Sequence, residues 1–139
     1  MLSGRRGQVS TELMIILAIM FIIFLALLLL AQRNSRIATE KMTRDDASYV
    51  SRLMSIHLTN VFVGGHGTKT NFVLPGTLGR ATPYTARILP SQHVVAVQYA
   101  SGSASASIPS FNVTGTSTIA GATNVSIQNN HALIVVTAS

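Results

Sequence analysis

The hydrophobic and polar positions divide the chain into three stretches. From Leu13 to Ala31 every residue is apolar, with no charge, glycine or proline. At about 1.5 Å of rise per residue, a helix over this block reaches close to ~30 Å, the hydrocarbon thickness of a bilayer. A helix on a soluble core would keep a polar face, and this block has none. It therefore reads as a membrane-inserted helix. Gln32 to about Thr59 continues without glycine or proline. Here Ile37, Met42, Tyr49, Val50, Leu53, Met54, Ile56 and Leu58 form a rough helical stripe. From Tyr49 onward that stripe is expected to dock on the domain that follows. Charged residues take the other faces, and Glu40 with Arg44 and Lys41 with Asp45 fall at i,i+4 spacing. The reading is one helix from about Ser10 to Thr59, with a hinge near Arg33 to Arg36 as the alternative.

After Val61 the period changes. Gly64, Gly65 and Gly67 break the helix. Short alternating runs follow at Thr70 to Leu74, Tyr84 to Leu89, Val94 to Tyr99, Ser107 to Thr114, Asn124 to Gln128 and Ala132 to Thr137. Leu74-Pro75-Gly76, Gly79, Leu89-Pro90-Ser91 and Asn129-Asn130 read as turns. Ala100 to Ala106, made only of Ala, Ser, Gly and one another's repeats, reads as a flexible low-complexity loop once Tyr99 has ended its strand. The expected fold class is α+β: a long N-terminal hydrophobic α-helix followed by a small antiparallel β-sandwich head.

Charge narrows the function classes. The formal net charge is +6. Arg5 and Arg6 precede the apolar block, and Arg33, Arg36, Lys41, Arg44 and Arg52 follow it. No acidic residue occurs after Asp46, and no Lys, Arg, Asp or Glu after Arg87. A nucleic-acid partner calls for clustered cations on phosphates, so none is expected. The absence of cysteine removes disulfides and thiolate metal sites. His57, His66, His93 and His131 have no metal-ligand spacing, so no metal is expected. With no carboxylate in the head, paired-carboxylate chemistry and an Asp-supported triad are unavailable there. Lys69-Thr70 follows a glycine loop, but Thr68 stands where a phosphate loop needs glycine. No catalytic residue and no cofactor are expected, and a head with so few ionisable groups is expected to titrate little.

Glu12 abuts the apolar run directly, and a carboxylate at the end of a membrane helix needs a partner or a dipole to face. The segment Arg5-Arg6-Gly7-Gln8-Val9-Ser10-Thr11-Glu12, followed at once by the apolar helix, resembles the archaeal class III signal peptide of type IV pilin-like proteins. The resemblance implies that a membrane prepilin peptidase cuts between Gly7 and Gln8, before the hydrophobic block, which then stays in the mature chain. It implies that Glu12 sets axial register between subunits by meeting the new amine of Gln8 on a neighbour, or a hydroxyl such as Ser10. It also implies a pilus assembly ATPase and platform protein as partners, with the membrane as an assembly intermediate.

The stretch FVLPGTLGRATPYTARILPSQHVVAVQYA and the later NVSIQNNHALIVV resemble, more loosely, the head of archaeal class III pilins. The expected organisation is a leader over 1–7, an N-terminal helix over 8–59 and an extracellular head over 60–139. Asn112-Val113-Thr114 and Asn124-Val125-Ser126 are N-glycosylation sequons, which makes Asn112 and Asn124 candidate attachment points. The function expected is a homopolymeric surface filament subunit, first in the cell membrane and then extracellular, serving attachment. The alternative is a membrane-anchored extracellular binding protein exported by the same kind of signal. A rotating archaellum subunit is a related third reading, which the Gln8 start and the Ser10/Glu12 spacing fit less well.

Overall fold

The computed structural model describes residues 3–79, 81–121, 123–131 and 133–139, with side chains from Thr11 onward. One α-helix, α1, takes Ser3–Val63, so its backbone is helical through 33–36 and ends four residues beyond Thr59. Its end is local in origin. Gly65 adopts φ 77° and its N–H turns back to the carbonyl of Phe62, a left-handed stop that glycine makes without steric cost. Two compact units divide the chain, Met1–Ala38 and Thr39–Ser139. The second half of α1 thus belongs to the same unit as the head.

Among the described residues eight strands form two four-stranded sheets. They are β1 (Lys69–Val73), β2 (Tyr84–Leu89), β3 (Val94–Tyr99), β4 (Gly102–Ser107), β5 (Asn112–Gly115), β6 (Thr118–Ala120), β7 (Asn124–Asn130) and β8 (Leu133–Ala138). One sheet has the order β1-β7-β8-β5 and the other β4-β3-β2-β6. Every pairing is antiparallel except β5 with β8, which is parallel. Both sheets and α1 contribute to one core, in which Met54, Leu58, Ile88, Val97, Ile127 and Ile134 are among the buried residues.

The face of α1 that docks is set by the helical period. Thr43, Ala47, Val50, Met54, Leu58 and Val61 are buried, three or four residues apart, with Ser51 buried beside Val50. Val50, Met54 and Leu58 therefore dock as the stripe predicts. Tyr49 and Ile56 do not: they are 61% and 56% exposed, as Ile37 and Met42 are at 54% and 51%. Met42 and Tyr49 precede the buried Thr43 and Val50 by one residue, and Ile56 lies two residues from both Met54 and Leu58, which turns all three round the helix and out of the contact.

Three predicted elements change. The stretch 100–106 is not a flexible loop: residues from Gly102 pair with β3 along a full antiparallel register from Tyr99↔Gly102 to Val94↔Ser107. Composition alone suggested a loop, but Ala104 and Ala106 turn their methyls inward and are half-buried while the serines face out. The predicted strand over 107–114 is two strands in different sheets. Between them Pro109 supplies no N–H to a ladder, and Ile108 and Phe111 are drawn into the core. Asn129-Asn130 ends β7 and is not a turn; the chain reverses at His131, with φ 51°. Asn129 is 3% exposed and satisfied: its N–H donates to Thr68 O at 2.9 Å, its carbonyl accepts from Gly67 N–H at 2.9 Å, and Nδ2 donates to Val61 O at 3.3 Å. Ala132, the predicted start of the last strand, lies outside the described residues, and β6 is an element the sequence reading lacks.

One of the four acidic residues of the chain pins the β1–β2 connection. Gly79, in a left-handed conformation at φ 56°, donates its N–H to Asp46 Oδ2 at 2.8 Å. The loop is closed by the Leu78↔Thr82 bridge and inserts Leu74 and Leu78, both at most 1% exposed. Asp46→Ala leaves the half-buried Gly79 N–H without its charged acceptor and is expected to cost about 1–2 kcal/mol. Thermal unfolding of the full chain in detergent checks this, and an unchanged midpoint would show that the loop is held by its leucines alone.

Candidate functional site

The first candidate surface is the apolar part of α1. Its large side chains over residues 13–30 are exposed within their own chain, from 41% at Leu25 to 71% at Met14. The helix meets the length and composition needed to cross a membrane, with a mean hydropathy of 3.5 in its most apolar window and none of that window buried. An apolar surface round the whole circumference has to be covered by lipid or by other helices. Thr11 and Glu12 stand exposed at its start, and Arg33 and Arg36 at its other end. Gly7, Gln8 and Ser10 fall within α1, but their side chains lie outside the described residues.

A second apolar surface lies on the part of α1 that belongs to the head unit. Met42, Tyr49, Ile56 and Val63 are 51%, 61%, 56% and 77% exposed and recur every seven residues. Seven residues make nearly two turns, so the four stand in one slowly drifting seam. In the sequence Met42, Tyr49 and Ile56 were merged with the stripe that docks, and Val63 lay beyond it.

The head carries two histidine contacts between segments distant in sequence. His57 of α1 stacks on Phe72 of β1, with ring centroids 4.2 Å apart and planes at 7°, and its Nδ1 lies 3.4 Å from Thr70 Oγ1. Burial holds its pKa below the ordinary histidine value. The His66 and His131 rings stack at 3.8 Å, and His66 Nδ1 accepts the His131 backbone N–H at 3.2 Å. Among the described residues no group of three or more His, Cys, Asp and Glu side chains comes together that could hold a metal ion. Tyr84 donates its hydroxyl to Pro75 O at 2.6 Å, and burial pushes its pKa up to about 12.

His57 gives the head an acid limit. An unfolded histidine binds its proton near pH ~6.5. The folded value is lower, so below that pH the unfolded chain binds more protons and folding stability falls as pH falls. The contribution is complete above about 6.5 and is lost on descending through the depressed folded value. The midpoint of thermal unfolding should decline between pH 7 and pH 5, and His57→Gln should flatten that decline. An identical decline in the variant would assign it elsewhere.

The two sequon asparagines, Asn112 at the start of β5 and Asn124 at the start of β7, are both exposed. Asn124 borders an open hollow of about 400 Å³ on the β1–β7–β8 sheet, lined also by Lys69, Asn71, Ser126 and Thr137.

The fold is α+β, one long apolar N-terminal helix followed by two small, mostly antiparallel sheets, the generic architecture of pilin-like proteins. The chain matches no family model, no curated protein and no solved structure among those with which it was compared.

Proposed function

We infer that this chain is the structural subunit of an archaeal type IV pilus-like surface filament, without catalytic activity of its own. The observation that carries this reading is the apolar segment of α1, exposed round its circumference and joined to a β-rich head. Such a helix is held in lipid as a precursor and is then covered by copies of itself in a filament. Cleavage between Gly7 and Gln8 by a prepilin peptidase leaves the apolar helix in the mature subunit and places Glu12 near its new start. There Glu12, with Ser10 or the Gln8 amine of a neighbour, sets the register between subunits. An assembly ATPase and its platform protein drive the transfer from membrane to filament. The head faces outward, where it serves attachment and exposes Asn112 and Asn124 to glycosylation.

A second reading, a membrane-anchored extracellular binding protein, draws on the hollow beside Lys69 and Asn124. A binding site normally encloses much of its ligand, and an open hollow on an edge suits that role less well. Intact mass and N-terminal sequencing of material sheared from the cell surface separate the two. A chain beginning at Gln8 in sedimentable filaments is expected. A chain beginning at Met1, or one found only in detergent-extracted membranes, would remove the filament reading.

A further inference from the structure

Asn112 and Asn124 each head an Asn-x-Ser/Thr triplet, and both asparagines are exposed. Transfer of a glycan to such a triplet calls for more than an exposed amide. The triplet has to leave its ladder and enter an enzyme site as a free segment, which is why acceptors lie on surface loops. Space does not separate the two asparagines. Each borders an open hollow, of about 410 Å³ beside Asn112 and about 400 Å³ beside Asn124. Backbone pairing separates them.

Asn124, Val125 and Ser126 lie in β7, an inner strand between β1 and β8. Every residue of this triplet has a partner on both sides. Asn124 stands opposite Val73 and exchanges two backbone hydrogen bonds of 3.0 Å with Ser139. Val125 stands between Phe72 and Ala138, and Ser126 between Asn71 and Thr137. Val125 is 1% exposed and belongs to the core. Freeing this triplet parts two ladders and withdraws a core side chain, which amounts to unfolding the head.

Asn112, Val113 and Thr114 lie in β5, an outer strand with β8 on one side only. The strand has four residues, and the segments flanking it, 108–111 and 116–117, are in no strand. Val113 packs against the core but is only partly buried, and Thr114 is exposed. Fraying from the Asn112 end frees the triplet, gives up one ladder and leaves Gly115 seated opposite Val136. Edge segments open at far lower free energy than inner strands.

We propose that Asn112 is the glycan-bearing residue of the folded head, and that Asn124 is shielded by the fold although its side chain is exposed. The co-substrate is an oligosaccharide ester-linked to a lipid phosphate. Nδ2 of Asn112 forms a bond to the anomeric carbon of the first sugar. The bond from that carbon to the phosphate oxygen breaks, its electron pair stays on the oxygen, and Nδ2 releases one proton. The inference rests on the reading that places the head outside the cell. It does not depend on whether the chain assembles into filaments.

No Lys or Arg follows Arg87, so trypsin releases residues 88–139 as one peptide that holds both triplets. The peptide lacks α1, β1 and most of β2, and so serves as the unfolded acceptor. The folded full chain in detergent and this peptide are each given an oligosaccharyltransferase and a lipid-linked oligosaccharide. Mass spectrometry follows the rate of transfer to each asparagine. The peptide is expected to accept at both. In the folded chain the ratio of the rate at 112 to the rate at 124 should exceed the ratio in the peptide by about a hundredfold or more. Asn112→Gln should leave the folded chain unmodified. Equal ratios, a folded chain modified at neither position, or a peptide that leaves either asparagine unmodified would overturn the assignment. In chain isolated from the cell, a glycan at 112 and none at 124 is expected; a glycan on Asn124, or none on Asn112, would overturn it as well. Neither arm needs filaments. Failure here leaves the filament reading standing, and failure to find Gln8-started filaments leaves the choice of Asn112 standing.

Discussion

Gly115→Ala is expected to unfold the head, or to lower its thermal midpoint by about 20 °C. Gly115 ends β5 at φ 96°, a conformation that side-chain-bearing residues rarely adopt. A Cβ built there would sit on the carbonyl oxygen of Val136, the residue opposite it in the parallel β5–β8 pair. That carbonyl cannot simply retreat, because it accepts the Thr116 N–H at 2.8 Å and Val136 is fully buried. Backbone strain of about 1–3 kcal/mol adds to the cost of separating the strands. A total near ~4 kcal/mol corresponds to roughly 20 °C for a domain of about 100 residues. Thermal unfolding in detergent, followed by circular dichroism, measures this. A midpoint within a few degrees of the parent would mean that β5 is not held against β8 in the folded head.

The double change Tyr49→Glu with Ile56→Glu is expected to abolish filaments while leaving the head folded. Both side chains are more than half exposed and belong neither to the core nor to the partly buried residues packed against it, so the change in stability should stay within about 0.5 kcal/mol, or roughly 2–4 °C. In a filament the seam they share with Met42 and Val63 is the apolar surface of the head unit that neighbouring helices would cover. Two carboxylates buried without partners oppose that contact strongly. Counting sheared filaments alongside the thermal midpoint distinguishes the outcomes. Filaments at parental abundance would place the seam on the outside of the assembly, and a large fall in midpoint would place it in the fold.

Local regularity made much of this legible. The apolar run over residues 13–31 needs only length and composition to be recognised, because a circumference without polar residues has few environments open to it. β2 and β3 occupy the predicted residues 84–89 and 94–99, where alternation is strong and Pro90 marks the turn. The docking face of α1 was only half visible. Val50, Met54 and Leu58 were in the stripe, but Tyr49 and Ile56 were attached to it because apolar character carries no direction until a partner surface chooses one. β4 was invisible for the opposite reason. Alanine and serine have little intrinsic preference for a pleated edge, and only the register imposed by β3 makes them a strand.

The sequence by itself determined that an apolar helix comes first and that a nearly uncharged β-rich domain follows it. These are properties of consecutive residues, and no folding is needed to read them. Tertiary structure alone decided that β5 joins β8 in parallel, that His57 lies on Phe72 and His66 on His131, and that Asp46 holds Gly79. It also decided that Met42, Tyr49, Ile56 and Val63 stay outside the core while β4 takes an outer place in its sheet. Each of these depends on which distant segments share a core, and burial of the two sheets against one face of α1 selects that arrangement.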